Sequence, residues 1–371
     1  MIGGLIVIFG FIIIVMVHEG GHLLAAKAFG IKATKYFLGF GPTIWSFKKG
    51  ETEYGIKAIP AGGYVSIIGM SPVEEVSEED EPRAYRSRPF HQKVIVVMSG
   101  IVTHFIIAFI LIWCVKVVIG EPDFSSPTME VSRVVVETSD GIKSPAFEAG
   151  LIEGDRILSV QGFTLYSWEE FTEILRSNPN SDVSIILDRQ GEILSIETTL
   201  QSRFDANGQV EIGFLGVSPK FENIRQNPFI GVPLALSEVW FITKQSIRGL
   251  WEFVSNFSNF IGAIWGDDDI LDEIRPVSII GIVQFGAATQ EAGLNMTLRL
   301  VAYLSIFVGL VNAIPLYPLD GGHFAVAVYE KITGRPPDIR KLLPIAVIVI
   351  SFIVILGVLG VYFDIMRPVT F

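Results

Sequence analysis

Four long apolar stretches constrain this chain more than any other feature of its sequence. They cover residues 2–28, 94–119, 297–317 and 342–366, and each is close to the ~20 residues that a helix needs to cross a hydrocarbon core. Half of the 371 residues are hydrophobic and only 18% are charged. The sequence therefore predicts an α-helical polytopic membrane protein with four transmembrane helices and excludes an ordinary soluble protein.

Charge and cysteine content exclude two further classes of protein. The net charge of −11 argues against nucleic acid as a partner, because no basic surface is left to neutralise phosphates. The single cysteine, Cys114, rules out a disulfide framework. The amino terminus is apolar from the start and lacks a basic segment or cleavage site, so it predicts a retained helix rather than a removed signal peptide.

Short basic loops predict the orientation in the membrane. The loop between the first two stretches and the connector between the last two are both rich in lysine and arginine. The positive-inside rule places both in the cytoplasm. Both termini and the long segment 120–296 are then expected outside.

The long segment divides into two parts. Residues 124–220 predict an inserted α+β domain, with a helix at 168–177; its strands are expected at 129–136, 156–160, 182–189, 192–199 and 211–217. Residues 221–296 predict an interfacial segment, in which 228–265 form an amphipathic, aromatic-rich helix on the outer membrane surface. A fifth span there is the alternative, disfavoured because charged residues such as Glu238 and Arg248 are costly in lipid.

The first stretch carries His18-Glu19-Gly20-Gly21-His22. Residues at i and i+4 share a helix face, so His18 and His22 can bind one ion, and Glu19 can serve as general base for a water on that ion. Ionisable residues inside a membrane helix indicate function, since lipid makes them costly. The alternative, a polar cluster that packs helices, leaves the pattern unexplained.

A catalytic zinc ion usually has three protein ligands and one open position. The third stretch ends in a segment that Pro315 and Pro318 interrupt, followed by Asp320 and His323. Broken backbone is tolerated at membrane depth only where protein or a cavity surrounds it. The residues alone leave both Asp320 and His323 open as the third ligand.

Together these motifs resemble the site-2 protease family of intramembrane zinc metalloproteases. The resemblance covers the whole chain and rests on H-E-x-x-H in the first helix, Gly39-Phe40-Gly41-Pro42 after it, and N-x-x-P-x-x-x-x-D-G from Asn312 to Gly321. It implies one Zn²⁺ bound by His18, His22 and Asp320, with Glu19 as catalytic base. It also implies that Asn312 binds substrate or the oxyanion, and it leaves His323 beside the ligands.

The second stretch departs from the family pattern. It reads Ser99-Gly100-Ile101-Val102-Thr103-His104, where the family typically has G-P-x-x-N. His104 thus replaces an asparagine and could be a hydrogen-bond partner of the ligands, a substrate contact or a packed polar residue. A role as fourth ligand is disfavoured, because it would close the position for water.

Residues 36–68 predict a β-hairpin that the resemblance places in the membrane near the zinc ion. The strands are expected at 43–47 and 53–59. We hypothesise that an unwound substrate strand pairs with the hairpin edge at residues 54–57; these are Tyr54, Gly55, Ile56 and Lys57. The alternative is a purely structural hairpin.

Residues 144–162 resemble the A-G-L-x-x-G-D-x-I-L-x-V-x-G signature of bacterial PDZ domains. The resemblance implies an extracytoplasmic PDZ domain that binds a peptide, acts as a size filter for trimmed substrates, or merely covers the membrane part. Residues 212–217 are expected at the rim of its groove.

These resemblances therefore imply a bacterial intramembrane metalloprotease of the plasma (inner) membrane. Its predicted parts are residues 1–119, with helices one and two, the domain 124–220, the segment 221–296 and residues 297–371, with helices three and four. Its substrates would be single-pass proteins, such as a membrane-bound anti-sigma factor or a remnant signal peptide. A zinc transporter is disfavoured because the chain shows one ligand set and no repeat, and a non-catalytic scaffold would leave the ionisable residues without a role.

Overall fold

The computed structural model describes residues 2–71, 74–138, 141–204, 210–263, 276–288 and 293–366. The chain divides into two compact units. One comprises Met1–Ile119 and Gln226–Phe371, and the other is Gly120–Arg225. The chain leaves the first unit and returns to it at neighbouring positions, because the Gln226 N–H donates to the carbonyl of Lys116 at 2.9 Å.

The described residues of the first unit form helices and one hairpin as their regular elements. Among the described residues its helices are α1 (Ile2–Ala28), α2 (Phe90–Cys114), α3 (Pro228–Ser255), α4 (Phe257–Ala263), α5 (Ile279–Ala288), α6 (Leu294–Asn312), α7 (Asp320–Thr333) and α8 (Ile339–Met366). Four helices in the described part of the chain are long and apolar enough to cross a membrane: Ile2–Ala28, Phe90–Ile119, Leu294–Asn312 and Arg340–Met366. These four helices correspond to the four predicted apolar stretches.

The predicted bounds need two corrections. α2 begins at Phe90 rather than at residue 94, because Pro89 provides the extended residue before the first turn. α6 ends at Asn312 rather than at residue 317, because Pro315 and Pro318 lack the N–H groups that would continue the helix.

Small residues bring α1, α2 and α6 into close contact. A Cβ added at Gly21 would lie 2.7 Å from the carbonyl oxygen of Ser99 on α2, and one at Gly10 would lie 2.8 Å from Val301 on α6. In lipid, where apolar surface gains little from burial, such close backbone packing stabilises helix pairs. Glycine at these two positions therefore fixes how closely the two neighbours approach α1.

Helix α3 packs against the same bundle through a partly buried carboxylate. Glu238 forms ion pairs with Lys116 at 2.8 Å and Arg299 at 3.0 Å, and the Tyr303 hydroxyl donates to it at 2.8 Å. Pairing of this kind offsets the cost of placing a carboxylate among apolar helices. The interfacial placement of α3 stays a prediction, and residues 264–275 and 289–292 of the segment 221–296 lie outside the described residues.

The hairpin is longer and more folded than predicted. Its strands are β1 (Ala33–Lys49) and β2 (Thr52–Ile67). Residues 35–38 of β1 pair on one side with 63–66 of β2 and on the other with 53–56, while 43–49 pair with 52–57. The order across the sheet is therefore 43–49, 52–57, 35–38 and 63–66, which places 63–66 at one edge.

The second unit is β-rich, with a core around Phe171, Ile185 and Leu187. Its strands are Glu121–Val134, Arg156–Val160, Phe163–Thr164, Asp182–Arg189, Glu192–Thr199, Gln201–Phe204, Glu211–Phe214 and Val217–Ile224, and its helices are Pro145–Glu148 and Trp168–Arg176. The sheet runs from Val217–Ile224 through Glu121–Val134, Arg156–Val160 and Asp182–Arg189 to Glu192–Thr199. All five predicted strands have counterparts, and the predicted helix is confirmed.

Candidate metal centre

Helix α1 presents both histidines of the H-E-x-x-H motif on its buried face. His18 is 8% exposed and His22 is 3% exposed, and their Nε2 atoms lie 3.3 Å apart. The i, i+4 spacing brings the two rings together one turn apart. The motif therefore forms a single polar site within the helix bundle.

A tight turn brings Asp320 to this pair. A Cβ at Gly321 would lie 2.2 Å from the carbonyl oxygen of Ala313, and one at Gly322 would lie 2.4 Å from the backbone nitrogen of Tyr317. Only glycine lets the chain fold back so closely after α6. Asp320, the first residue of α7, is thereby placed at the two histidines.

The three side chains form a nearly regular triangle. Asp320 Oδ2 lies 3.4 Å from His18 Nε2 and 3.2 Å from His22 Nε2. Ligands about 2.0–2.2 Å from a tetrahedral ion are separated by roughly 3.3–3.6 Å. Within the described residues these three form a group able to hold a metal ion. Two imidazoles and one carboxylate match a catalytic zinc site with its fourth position open.

The neighbouring helix α2 contacts both histidines of this triangle. The Val96 carbonyl accepts a hydrogen bond from His22 Nδ1 at 2.7 Å, which leaves Nε2 free to face a metal. A Cβ at Gly100 would lie 2.2 Å from His22 Nε2 and 2.8 Å from His18 Cε1. Glycine at position 100 is therefore required for the histidines to occupy their places.

Glu19 lies at the edge of the sheet. Its Oε2 accepts a hydrogen bond from the Val65 backbone N–H at 2.9 Å. The sheet is held on α1 by Tyr36, whose hydroxyl donates to the Met16 carbonyl at 2.6 Å. The predicted general base thus connects the metal-binding helix to the strand segment 63–66.

The other predicted residues lie at different distances from the triangle. His104 is fully buried, with its ring centroid 4.8 Å from that of His18. Asn312 is the last residue of α6 and is half-buried. His323 packs edge-on against Tyr317, with 5.0 Å between the ring centroids. It does not belong to the three-residue group found in the described chain.

The prediction that residues 54–57 form a free hairpin edge is wrong. Tyr54, Gly55 and Ile56 pair on both sides, with 45–47 and with 36–38. The Lys57 ammonium lies over the rings of Phe37 and Tyr64, 5.3 Å from each centroid. The sequence showed only one hairpin, whereas β1 folds back along β2 and covers the expected edge.

The predicted groove rim in the second unit lies directly against a helix. A Cβ at Gly213 would lie 2.1 Å from the carbonyl oxygen of Leu175 in the helix Trp168–Arg176. Strand and helix therefore touch at this point, without room for a peptide strand between them.

Sequence reasoning missed Val65 and Val96 as neighbours of the site, and also Ser305 of α6, whose hydroxyl oxygen lies 3.2 Å from His104 Nδ1. It named Gly100 only as part of a motif. Val65 and Val96 contribute backbone groups, for which the sequence carries no residue-type signal. Gly100 could have been predicted as a point of close helix contact. It lies four residues before His104 on the same helix face, and glycine permits close helix approach.

Comparisons with known proteins show which family this chain is similar to. The profile of peptidase family M50 matches residues 6–356. The zinc metalloprotease Rip1 of Mycobacterium tuberculosis is 31% identical, over 98% of this chain and 98% of Rip1. A putative zinc metalloprotease of Nostoc is 29% identical over 87% of this chain and 85% of its own length. The chloroplastic membrane metalloprotease ARASP of Arabidopsis thaliana is 29% identical over 86% of this chain and 69% of its own length.

Among solved structures, the PDZ domain of an SdrC-like protein from Listeria monocytogenes is 22% identical. It covers 24% of this chain and 87% of that chain with a TM-score of 0.19, which is too low to support an argument. The family profile and Rip1 each span nearly the whole chain, and the range of the profile includes residues 18–22 and 312–321. The chain therefore belongs to peptidase family M50, the site-2 protease family, and is a zinc metalloendopeptidase with several membrane-spanning helices.

Proposed function

We propose that this protein hydrolyses peptide bonds within the transmembrane segments of single-pass membrane proteins. The observation that carries the proposal is the triangle of His18, His22 and Asp320 among apolar helices, with Glu19 beside it. Zinc, when bound, supplies the Lewis acidity that lowers the pKa of water to ~7. Glu19 would take the proton from the attacking water and deliver it to the leaving amine.

Asn312 would hold the oxygen of the scissile carbonyl as charge develops on it. It ends α6, and the turn that follows leads directly to Asp320. An amide donor directed at a developing oxyanion stabilises the transition state. The side chain would then act in the reaction and not in binding the metal.

The substrate would bind as an added strand at residues 63–66. These residues pair with β1 on one side, and no other described strand pairs with them on the other. The Val65 N–H donates to Glu19, so a strand added here would lie beside the general base. Such pairing would replace the helical hydrogen bonds that the substrate loses on unwinding, for which lipid offers no substitute.

Exposed apolar side chains support a position of the hairpin within the membrane. Phe40, Ile44, Trp45 and Ile59 are each between 47% and 70% exposed at the end of the sheet away from the turn at Gly50. Pro60 borders an apolar cavity of 120 Å³ together with Ile8 and Ile12 of α1. A hairpin with these surfaces is suited to contact lipid and not water.

The protein would act in a bacterial plasma (inner) membrane, with both termini and residues 120–225 outside. The second unit would be a PDZ domain that admits only substrates whose outer part has been trimmed. Substrates of this kind include membrane-bound anti-sigma factors and remnant signal peptides. The contact between Gly213 and Leu175 favours a filter over peptide binding at that point of the groove.

Glu19→Gln tests the proposed reaction. Cleavage of a single-pass model substrate in liposomes should fall by about 10²- to 10⁴-fold, the usual contribution of a general base, while the zinc content of the purified protein stays unchanged. A transporter or a scaffold would keep its activity in this variant. Undiminished cleavage would overturn the role of Glu19.

A further inference from the structure

The two histidine ligands differ in what holds their outer ring nitrogens. His22 Nδ1 donates to the Val96 carbonyl at 2.7 Å. His18 Nδ1 is buried and makes no well-formed hydrogen bond among the described residues; the Gly100 backbone offers it only a weak one. A histidine that binds a metal through Nε2 carries its proton on Nδ1, and this N–H usually has an acceptor that fixes the ring. His18 therefore lacks the partner that His22 has.

His104 offers a suitable group in the same buried place. It is fully buried on α2, and its ring lies 4.8 Å from the His18 ring, tilted by 40°. Its Nε2 is also buried without a hydrogen-bond partner in the described part of the chain. Two unsatisfied nitrogens on adjacent buried rings are costly unless they satisfy each other.

Ser305 on α6 determines which nitrogen of His104 carries the proton. The Ser305 hydroxyl donates to the main-chain carbonyl of His104 at 3.0 Å, and a hydroxyl has one proton to give. Its oxygen also lies 3.2 Å from His104 Nδ1, so in this contact Ser305 must accept and Nδ1 must donate. His104 Nε2 is then an acceptor.

We infer that His104 is a positioning residue for zinc binding, which accepts the Nδ1–H of His18 through one buried water. This inference rests on the proposed zinc site and assigns His104 one of the three roles that the sequence left open. His18 would donate and His104 would accept, so the two unsatisfied nitrogens are complementary. The bond fixes the ring of His18 with Nε2 toward His22 and Asp320.

Gly309 supports the same arrangement from α6. A Cβ added there would lie 2.8 Å from His104 Cβ. Gly309 and Ser305 are four residues apart and share a helix face, so His104 fits between a small residue and a hydroxyl. The position of His104 is thus set by α6, and that of His18 by His104.

The test is the zinc dissociation constant of the purified full-length protein, measured by competition with a fluorescent zinc chelator. His104→Leu fills the same space without an acceptor and should weaken zinc binding about 10- to 100-fold, as loss of a ligand's outer partner usually does. His104→Asn supplies an amide oxygen as acceptor and should stay closer to the wild-type value. Ser305→Ala removes the hydroxyl that fixes the tautomer of His104, and it should weaken zinc binding less than His104→Leu does.

Ile112→Ala is the matched control. Ile112 is fully buried on the same helix α2, in the cluster with Ala302 and Ile306. Its truncation should lower the melting temperature of the metal-free protein and leave zinc affinity unchanged. This comparison separates a loss of packing from a loss of ligand orientation.

Zinc binding by His104→Leu as tight as in the wild type would overturn the inference and leave the Gly100 carbonyl as the partner of His18. Should His104→Leu fail to fold, Ser305→Ala and His104→Asn decide by the same measurement, since wild-type affinity in Ser305→Ala would contradict the tautomer argument. A wild-type protein that binds zinc but cleaves no membrane substrate would refute the proposed function alone. The affinities would still test His104.

Discussion

Glu19 on the metal-binding helix accepts a hydrogen bond from the backbone N–H of Val65 at 2.9 Å. This bond joins the proposed general base to the edge of the sheet, where the substrate strand is proposed to add. The carboxylate is thereby held in one orientation, and preorganisation of this kind lowers the cost of reaching a transition state. The proposed base and the proposed binding edge are therefore held together by one hydrogen bond.

The role of this N–H can be tested without changing the ligands. Val65→Pro removes the donor to Glu19 but leaves the pairing of Tyr36 with this segment, because the Val65 N–H points away from β1. We expect cleavage to fall at least 10-fold in liposomes, with zinc content unchanged. Val65→Ala keeps the N–H and serves as the control. Equal activities of the two variants would show that the backbone donor is dispensable.

Gly100→Ala should abolish zinc binding. The added methyl group would lie 2.2 Å from His22 Nε2, and no real contact is that short, so the ligand must move. Gly357→Ala on α8 is the control, because a Cβ there meets nothing within 4 Å. Metal analysis of both purified proteins checks the prediction. Stoichiometric zinc in Gly100→Ala would mean that α1 and α2 can separate at no cost.

An exchange of Lys93 and Glu330 should preserve stability, although each single reversal should not. Lys93 Nζ lies 2.5 Å from Glu330 Oε2, with side-chain exposures of 10% and 24%. Loss of the pair should cost about 2 kcal/mol, between the values for exposed and buried pairs. It should also loosen α7, which carries Asp320.

In the exchanged protein, Lys93→Glu with Glu330→Lys, the charges would also suit the helix dipoles. Lys93 stands in the first turn of α2 and Glu330 near the end of α7, and the opposite signs are favoured at those ends. The effect is measured as the melting temperature and the zinc affinity of the two single reversals and of the double variant. A double variant no better than the single reversals would show that the ion pair does not hold α7.

Replacement of residues 120–225 by a short glycine-serine linker should leave the metal centre intact. The Gln226 N–H donates to the Lys116 carbonyl at 2.9 Å, so the two ends of the membrane unit lie close enough to be joined. Zinc content should match that of the wild type. Cleavage of a substrate with an untrimmed outer domain should appear only in the shortened protein. If neither protein cuts that substrate, the second unit is not a size filter.

The sequence by itself determined the four apolar stretches, the helix that carries the H-E-x-x-H motif and the chemical types of the proposed ligands. Apolar length specifies a membrane helix because lipid leaves no alternative for the backbone. The i, i+4 spacing of His18 and His22 specifies one ion because helix geometry is local. These properties depend on neighbours within a few residues, and they could be read from the chain alone.

The residues alone left Asp320 and His323 open, and the family resemblance implied Asp320. The tertiary structure places Asp320 beside the two histidines, because a turn holds Gly321 and Gly322 against residues 313–317. The edge of the sheet lies at residues 63–66 and not at the predicted residues 54–57 for a similar reason, because β1 pairs with two different parts of β2. The acceptor proposed for His18 comes from His104 on another helix, 86 residues away in the sequence. Such contacts join elements distant in the chain, and their geometry depends on packing that residue types do not encode locally.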